Sequence, residues 1–276
     1  MIRQNLHTHS CYDDGRDPIK TMVESALEKG FTHLGFSGHG QNPADSCAMS
    51  PEKEARYLSD IEAVRRKYGE RIQIFTGIEQ DSQGKKYRKE DPFQYVIASV
   101  HAVPREGRLL NVDEAEDIMK DFLAAVYQGD FRAYARDYYA EVARQADDPD
   151  ADIIGHVDLL MKFNEGEKYL PFDDPEYLAY AKAAIDRLLE AGKIIEINTG
   201  AIARGYRSEP YPHMTLLRYI QEKGGRVMIN TDCHDARHLL DGYEQALQAA
   251  REAGFDELMV FNGENFEPVS IEKFAE

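Results

Sequence analysis

Apolar and polar positions follow two different periods along the chain, and the two kinds of segment alternate from one end to the other. Short runs of apolar residues predict buried strands, whereas apolar residues three and four positions apart predict amphipathic helices. The predicted strands are residues 1–9, 31–37, 71–78, 93–100, 152–155, 193–198, 225–230 and 258–261. The predicted helices are residues 19–29, 51–68, 112–146 with a break near 129–130, 175–191, 212–223 and 235–253.

The ends of several predicted helices carry their own signals. A polar residue followed by proline is typical of an N-cap and the first helical position, and this pattern occurs at Asp17-Pro18, Ser50-Pro51 and Asp174-Pro175. Glycine in the left-handed conformation commonly ends a helix, and Gly30 and Gly192 follow two of the predicted helices. These signals place the helices between the strands.

Apolar strands that alternate with helices predict parallel strands covered by helices, either as a closed α/β barrel or as an open, doubly wound sheet. An open sheet concentrates its site at one switch point, whereas a barrel collects residues from the carboxyl ends of many strands. No GxGxxG motif follows a strand, which argues against a dinucleotide-binding sheet. A barrel in one domain over residues 1–276 is favoured because polar residues end nearly every strand: His9, His39, Glu79, His101, His156, Asn198, Asp232 and His234.

Many of these strand-end residues are of the types that bind metal ions. His7 and His9 lie two apart on a strand and therefore point to the same face, as do Asp232 and His234. Two histidines at this spacing are more often surface residues than metal ligands. A metal site is nevertheless favoured here because many other donor residues lie at strand ends. The candidate donors are His7, His9, Asp14, His39, Glu79, His101, His156, Asp232 and His234.

A set of nine donors exceeds the three or four protein ligands of one zinc ion. It predicts two or three divalent ions, with a carboxylate such as Glu79 bridging between them. Mixed imidazole and carboxylate ligands suit zinc, manganese or iron alike. Clustered divalent ions suit hydrolysis, because they activate water and bind phosphoryl oxygens.

The amino-acid composition limits the kinds of molecule that the protein is expected to bind. The chain has 276 residues with 33 basic and 50 acidic side chains, a net charge of −17. This balance argues against a nucleic-acid groove, although bound cations still permit a small anionic substrate. Three cysteines, Cys11, Cys47 and Cys233, without a CxxC pair or a secretory signal predict a cytoplasmic protein. No apolar run approaches 18 residues, so no membrane partner is expected.

The order of the motifs resembles that of the polymerase-and-histidinol-phosphatase (PHP) superfamily, over most of the chain from His7 to His234. The motifs are His7-x-His9-Ser10 with Asp14-Gly15, Gly38-His39, Gly77-Ile78-Glu79, Ser99-Val100-His101, Gly155-His156-Val157-Asp158 and Asp232-x-His234. Length and the segment Glu196-Ile197-Asn198-Thr199 look most like the stand-alone histidinol-phosphatase branch.

The resemblance implies a distorted (β/α)7 barrel with a trinuclear metal centre that hydrolyses L-histidinol phosphate to L-histidinol and phosphate, in histidine biosynthesis. It implies a first metal on His7, His9, Glu79 and Asp232; a second, bridged by Glu79, on His101 and His156; and a third on Asp14, His39 and His234. Asp14 is preferred to Asp13 because it directly precedes Gly15. A hydroxide between the first two metals would attack phosphorus in line, which makes Glu79, Asp232 and His234 the candidate catalytic residues.

The candidate residues for contact with the substrate follow from the charges of its phosphate, amine and imidazole groups. A cation is expected beside the phosphate, often arginine, because its planar fork matches the oxyanion. The nearest candidate after His156 is Lys162, where the resemblance leads us to look for arginine, and Arg204 and Arg207 are alternatives. Asp81 is the candidate for the amine and imidazole of the substrate. The proton donor to the leaving group and the oligomeric state stay open.

Two other functions compete with this interpretation. The same metal chemistry would serve a phosphoesterase for nucleotides or other small phosphate esters. The chain could instead be a non-catalytic module, since the superfamily also occurs attached to DNA polymerases. The net charge of −17 and the complete donor set argue against the second alternative.

Overall fold

The strands and helices alternate as the sequence pattern predicts. The computed structural model describes residues 1–274; Ala275 and Glu276, the end of the predicted domain 1–276, lie outside the described residues. The strands are β1 (Gln4–Asn5), β2 (His33–Phe36), β3 (Gln73–Asp81), β4 (Tyr95–Ser99), β5 (Ala102–Arg105), β6 (Arg108–Asn111), β7 (Ile153–Ile154), β8 (Ile194–Asn198), β9 (Arg226–Asn230), β10 (Glu257–Phe261) and β11 (Phe266–Ser270).

The helices pack around the outside of the sheet. They are α1 (Ile19–Glu28), α2 (Pro51–Tyr68), α3 (Glu116–Tyr127), α4 (Phe131–Arg144), α5 (Pro175–Glu190), α6 (Gly200–Ala203), α7 (Met214–Glu222) and α8 (Tyr243–Ala253). Their buried residues join the outward-facing apolar residues of the strands in one core cluster. Within residues 1–274, none of the helices combines the length and apolar composition that crossing a membrane requires.

Seven parallel strands form a sheet in the order β1-β2-β3-β4-β7-β8-β9. The first and last strands of this order meet beyond β1, where Thr8 and Cys233 form a parallel bridge. At this seam the amide of His9 donates to the Cys233 carbonyl at 2.9 Å, and the Cys233 amide donates to the His7 carbonyl at 3.2 Å. The predicted distorted (β/α)7 barrel is therefore confirmed.

Tyr95 fills the middle of the barrel. Its ring belongs to an interior apolar cluster with Leu6, and its hydroxyl donates to the Leu6 carbonyl at 2.5 Å and lies 3.2 Å from the Phe36 carbonyl. A Cβ at Gly35 or Gly77 would come within 2.3 Å or 2.1 Å of Tyr95 atoms. Glycine is thus required at both positions because a tyrosine occupies the space between the strands.

The predicted helix starts are confirmed at two of three positions. Ser50 Oγ accepts from the Lys53 amide at 3.3 Å, and the Asp174 carboxylate accepts from two amides at the start of α5. The prediction for Asp17 is wrong, because Pro18 occupies the N-cap of α1 and Asp17 accepts from the Ala236 amide at 2.9 Å instead. This aspartate ties the start of α1 to the loop after β9.

Three other predictions need correction. Strand pairing of residues 1–9 is regular only over Gln4–Asn5. The predicted helix 235–253 is interrupted, because Gly242 adopts a left-handed φ of 76° and α8 begins after it. The strand near residue 258 lies in a hairpin of β10 and β11, apart from the parallel sheet. A second unpredicted hairpin joins β5 to β6 through Glu106 and Gly107, which both have positive φ.

Candidate metal centre

The nine candidate donors converge at the carboxyl ends of the barrel strands. A cavity of about 530 Å³ opens there, and seven of the donors line it: Asp14, His39, Glu79, His101, His156, Asp232 and His234. His7 and His9 lie fully buried at the closing seam, within ion-pair distance of Glu79 and Asp232. The structure therefore brings all nine predicted donors to one place, and their role as metal ligands stays a prediction.

Glu79 lies at the centre of the cluster and is buried. Its two carboxylate oxygens are shared among five imidazole rings, which come from the segments after β1, β2, β4 and β7. The distances to Oε2 are 3.1 Å from His39 Nδ1, 3.2 Å from His7 Nε2 and 3.5 Å from His9 Nε2; those to Oε1 are 3.2 Å from His156 Nε2 and 3.4 Å from His101 Nε2. This arrangement suits a carboxylate that bridges between ions.

Asp14 and Asp232 extend the cluster on the opposite side from His101. Asp232 Oδ1 lies 3.3 Å from His9 Nε2 and 3.5 Å from His234 Nδ1. Asp14 Oδ1 lies 3.2 Å from His234 Nε2 and 3.7 Å from His39 Nε2. The side chains of His9, Asp14, His39 and His234 thus offer ligand atoms that all lie within 4.8 Å of one another.

The neighbouring aspartate, Asp13, has a different position. Its Oδ2 lies 2.5 Å from His9 Nδ1 and accepts from the His39 amide at 3.1 Å, while Oδ1 accepts from the Ser10 amide at 2.8 Å. A Cβ at Gly38 would meet Asp13 Oδ2 at 2.9 Å, so glycine there lets the carboxylate approach. Asp14 is therefore the aspartate that lines the cavity, as predicted from the Asp-Gly step, and Asp13 orients His9.

Three of the histidines have a carboxylate on the ring nitrogen that faces away from Glu79. His7 Nδ1 lies 2.7 Å from Glu196 Oε1, and His101 Nδ1 lies 3.0 Å from Asp81 Oδ2. Together with the His9–Asp13 contact, these bonds favour tautomers that leave Nε2 free as an electron-pair donor. A second carboxylate behind the imidazole is the usual arrangement around metal-bound histidine.

Three buried atoms test whether the residues fit a metal ion. His7 Nε2, His9 Nε2 and Glu79 Oε2 make no hydrogen bond with any of the described residues, although each is buried. An unpaired buried nitrogen or oxygen is costly, and this cost is removed when the atom binds a cation. Nitrogen and oxygen donors that converge in this way fit zinc, manganese or iron.

The histidines and carboxylates of the cluster shift one another's pKa values. Burial lowers the pKa of His7, but Glu196, Glu79 and Asp232 outweigh it and hold this pKa well above its usual range. Burial raises the pKa of Glu79, but the histidines around it hold it well below its usual range. Glu79 is thus ionised at neutral pH, and protons on the histidines compete with any metal ion for the same nitrogens.

Two of the predicted cationic residues line the cavity. Arg204 Nη2 donates to Asp232 Oδ2 at 3.1 Å, and its Nη1 donates to His234 Nδ1 at 3.0 Å. Lys162 is buried, and its Nζ donates to the backbone carbonyl of Asp113 at 2.6 Å. A guanidinium and an ammonium therefore stand on the wall of the same cavity as the candidate metal ligands.

The structure places the other two predicted substrate residues differently. Arg207 does not line the cavity; it is buried, 3.6 Å from Asp158 and over the ring of Tyr211. Asp81 lines the cavity, but its Oδ2 accepts from the His101 amide and its Oδ1 from the Gln83 amide. Both oxygens of Asp81 thus accept hydrogen bonds within the protein, and the residue orients His101.

Glu196 is a residue of the site to which the sequence analysis assigned no role. Its Oε1 contacts His7, and its Oε2 accepts from the His156 amide at 2.9 Å and from Asn198 Nδ2 at 2.7 Å. It therefore positions two candidate ligands at once. The signal for it is the single charged residue within the buried strand β8, where an unpaired charge would be costly.

Replacing Glu196 with glutamine is expected to lower metal affinity by about 10- to 100-fold, because an amide cannot hold the His7 tautomer as a carboxylate does. Metal content after dialysis against graded chelator measures this effect. Glu190→Gln, at the exposed end of α5, is the matched control and is expected to keep the affinity of the unmodified protein. Unchanged metal affinity in Glu196→Gln would contradict the positioning role.

Comparisons with known proteins agree with the fold. The family model of the PHP domain matches residues 5–200. A relative from Deinococcus radiodurans named "Probable histidinol-phosphatase" is 28% identical over 92% of this chain and 94% of its own length. The histidinol-phosphatase of Bacillus subtilis is 23% identical, over 88% of this chain and 97% of its own.

A solved structure gives a similar result. The chain aligns with the histidinol phosphate phosphatase of Lactococcus lactis, solved as a complex with zinc, L-histidinol and phosphate. The TM-score is 0.72 at 22% identity, and the alignment covers 96% of this chain and 98% of that one. At this identity the likeness supports the fold.

Proposed function

Because this chain belongs to the PHP domain family, we propose that it is a metal-dependent phosphomonoesterase that hydrolyses L-histidinol phosphate to L-histidinol and phosphate. The observation that carries the proposal is the convergence of eight other imidazole and carboxylate donors around the buried Glu79. The choice of substrate is supported by the names of the two relatives, which align over nearly their whole lengths. We propose that residues 1–276 act as one domain.

We further propose that the donors hold two or three divalent ions in the grouping that the sequence predicts. Divalent ions bound there supply Lewis acidity to the phosphoryl group and to the attacking water. The first group is His7, His9, Glu79 and Asp232; the second is His101 and His156 with Glu79; the third is Asp14, His39 and His234. Zinc is supported by the complex of the Lactococcus lactis protein.

The chain's own cations complete the proposed phosphate site. Lys162 and Arg204 line the cavity within a protein of net charge −17, so they provide local positive charge in an acidic molecule. Arg204 also orients Asp232 through their 3.1 Å contact. We propose that both side chains bind the phosphate oxygens and hold phosphorus in line for attack, which is a contribution of positioning.

The test is phosphate release from L-histidinol phosphate beside nucleotide and sugar phosphates, each assayed with zinc, manganese or iron. We expect kcat/KM for L-histidinol phosphate to exceed that of the other esters by about 10²-fold or more. A site whose polar groups pair with those of one substrate rejects substrates that lack the matching groups. A preference for nucleotides by about tenfold or more would favour the alternative phosphoesterase. Tight binding of single-stranded DNA at physiological salt would favour the non-catalytic module.

A further inference from the structure

The loop after the β5–β6 hairpin carries an acidic residue, Asp113, into the wall of the metal cavity. The loop is held in place at its start, where the Val112 amide donates to the His101 carbonyl at 2.8 Å. It is held again at Asp113, whose backbone carbonyl accepts from Lys162 Nζ at 2.6 Å. The position of this residue is thus fixed by its backbone and leaves its side chain available.

The carboxylate of Asp113 pairs with one cation among residues 1–274, Lys162, whose Nζ lies 3.5 Å from Oδ2. The other carboxylates that line the cavity and are not candidate metal ligands are already engaged. Asp81 accepts from His101, Asp45 from the Cys47 amide at 2.8 Å, and Glu114 from Asn111 Nδ2 at 2.9 Å. Within the described residues, Asp113 is therefore the carboxylate of this wall that accepts no hydrogen bond from an amide or imidazole, so it can take a second cation beside Lys162.

The substrate that we propose is itself a zwitterion. In L-histidinol phosphate the ammonium nitrogen is four covalent bonds from phosphorus, each of about 1.5 Å. An ester held by its phosphate against Lys162 therefore presents its ammonium within a few ångströms of that side chain. The partly buried carboxylate of Asp113 lies at this distance from Lys162 and is ionised at neutral pH.

We propose that Asp113 binds the ammonium group of the substrate and selects amino-alkyl phosphate esters over esters that lack the amine. This inference rests on the function proposed above and assigns a specificity residue to the same site. Lys162 and Asp113 then form a pair of opposite charges matched to the two charges of the substrate. Charge-assisted hydrogen bonds of this kind give both affinity and orientation.

The experiment compares L-histidinol phosphate with 3-(imidazol-4-yl)propyl phosphate, the same ester without its amine. For Asp113→Asn we expect kcat/KM for L-histidinol phosphate to fall by about 10- to 100-fold, the effect of losing a hydrogen bond to a charged group. For the ester without the amine, kcat/KM should change by less than about threefold. Inhibition by L-histidinol should weaken in the same variant, and inhibition by inorganic phosphate should not.

Asp117→Asn is the matched control, because it removes an equal charge from a nearby exposed residue that does not line the cavity. It is expected to behave as the unmodified enzyme toward both esters. Equal losses on both esters in Asp113→Asn would overturn the inference, since Asp113 would then act only through Lys162 or His101. An equal effect of Asp117→Asn would also overturn it, because any nearby negative charge would then have the same influence. If the unmodified enzyme hydrolyses the two esters equally well, Asp113 does not select the amine. If the unmodified enzyme hydrolyses neither ester, the proposed function itself is refuted.

Discussion

Replacing Glu79 with glutamine is expected to reduce kcat/KM for L-histidinol phosphate by about 10²- to 10⁴-fold. The side chain is buried, and its two oxygens lie 3.1 to 3.5 Å from five imidazole rings. Glutamine has a similar shape but no charge, so it cannot balance the cations that these donors would hold. Breaking a buried charged pair costs about 3–5 kcal/mol, and each 1.36 kcal/mol is about tenfold in rate. Phosphate release under saturating metal measures the loss.

The same variant should contain less metal than the unmodified protein, measured by elemental analysis after gel filtration. Glu252→Gln, an exposed change on α8, serves as the control and should retain full activity and metal content. Activity of Glu79→Gln within tenfold of the unmodified enzyme, at normal metal content, would refute the central role given to this carboxylate.

Removal of metal is expected to abolish phosphate release and to lower the Tm by about 5–10 °C. The metal-free protein keeps buried nitrogen and oxygen atoms without hydrogen-bond partners, and it loses the binding energy that favours the folded state. A few kcal/mol corresponds to a shift of this size in a domain of this length. Calorimetry of loaded and chelator-treated protein, with metal loss confirmed, measures the shift. Equal Tm values for the loaded and the chelator-treated protein would contradict the predicted effect of metal on stability.

The difference in Tm should also widen as pH rises. In the metal-free protein, burial lowers the pKa of His101, but Glu79 and Asp81 outweigh it and raise this pKa to about 10. The stability that this proton contributes is complete below the unfolded pKa of about 6.5 and is lost as pH rises toward 10. Metal-bound histidine must be neutral, so the loaded protein gains stability as pH rises through about 6.5. A difference that narrows between pH 6 and 9 would contradict this coupling.

The sequence predicts the barrel because the apolar period, the helix starts and the polar strand ends all agree. Ser50 and Asp174 cap their helices as expected, and Glu79 and His101 come directly from the ends of apolar strands. Each of these predictions depends on local spacing. Side chains at the same end of parallel strands must meet, so the gathering of the donors follows from the fold.

The parts that sequence alone does not predict depend on contacts between distant segments. The role of Glu196 becomes visible only in the closed barrel, where this β8 residue contacts His7, which follows β1, two strands away across the seam. Arg207 is a plausible phosphate ligand by its place in the chain, yet it packs against Asp158 behind the site. The β5–β6 hairpin is two short strands without strong alternation, and it brings Asp113 to the cavity wall. Tertiary packing decides all three positions.

The bridge between Thr8 and Cys233 has a consequence for the order of events during synthesis. His7 and His9 are made first, but Asp232 and His234 reach them only at the seam where the barrel closes. At about 5–20 residues per second, the early histidines wait roughly 10 to 45 seconds for their partners. The complete ion cluster is therefore assembled on a finished barrel, and a chain interrupted before residue 232 would carry seven of the nine candidate ligands without being able to complete the centre.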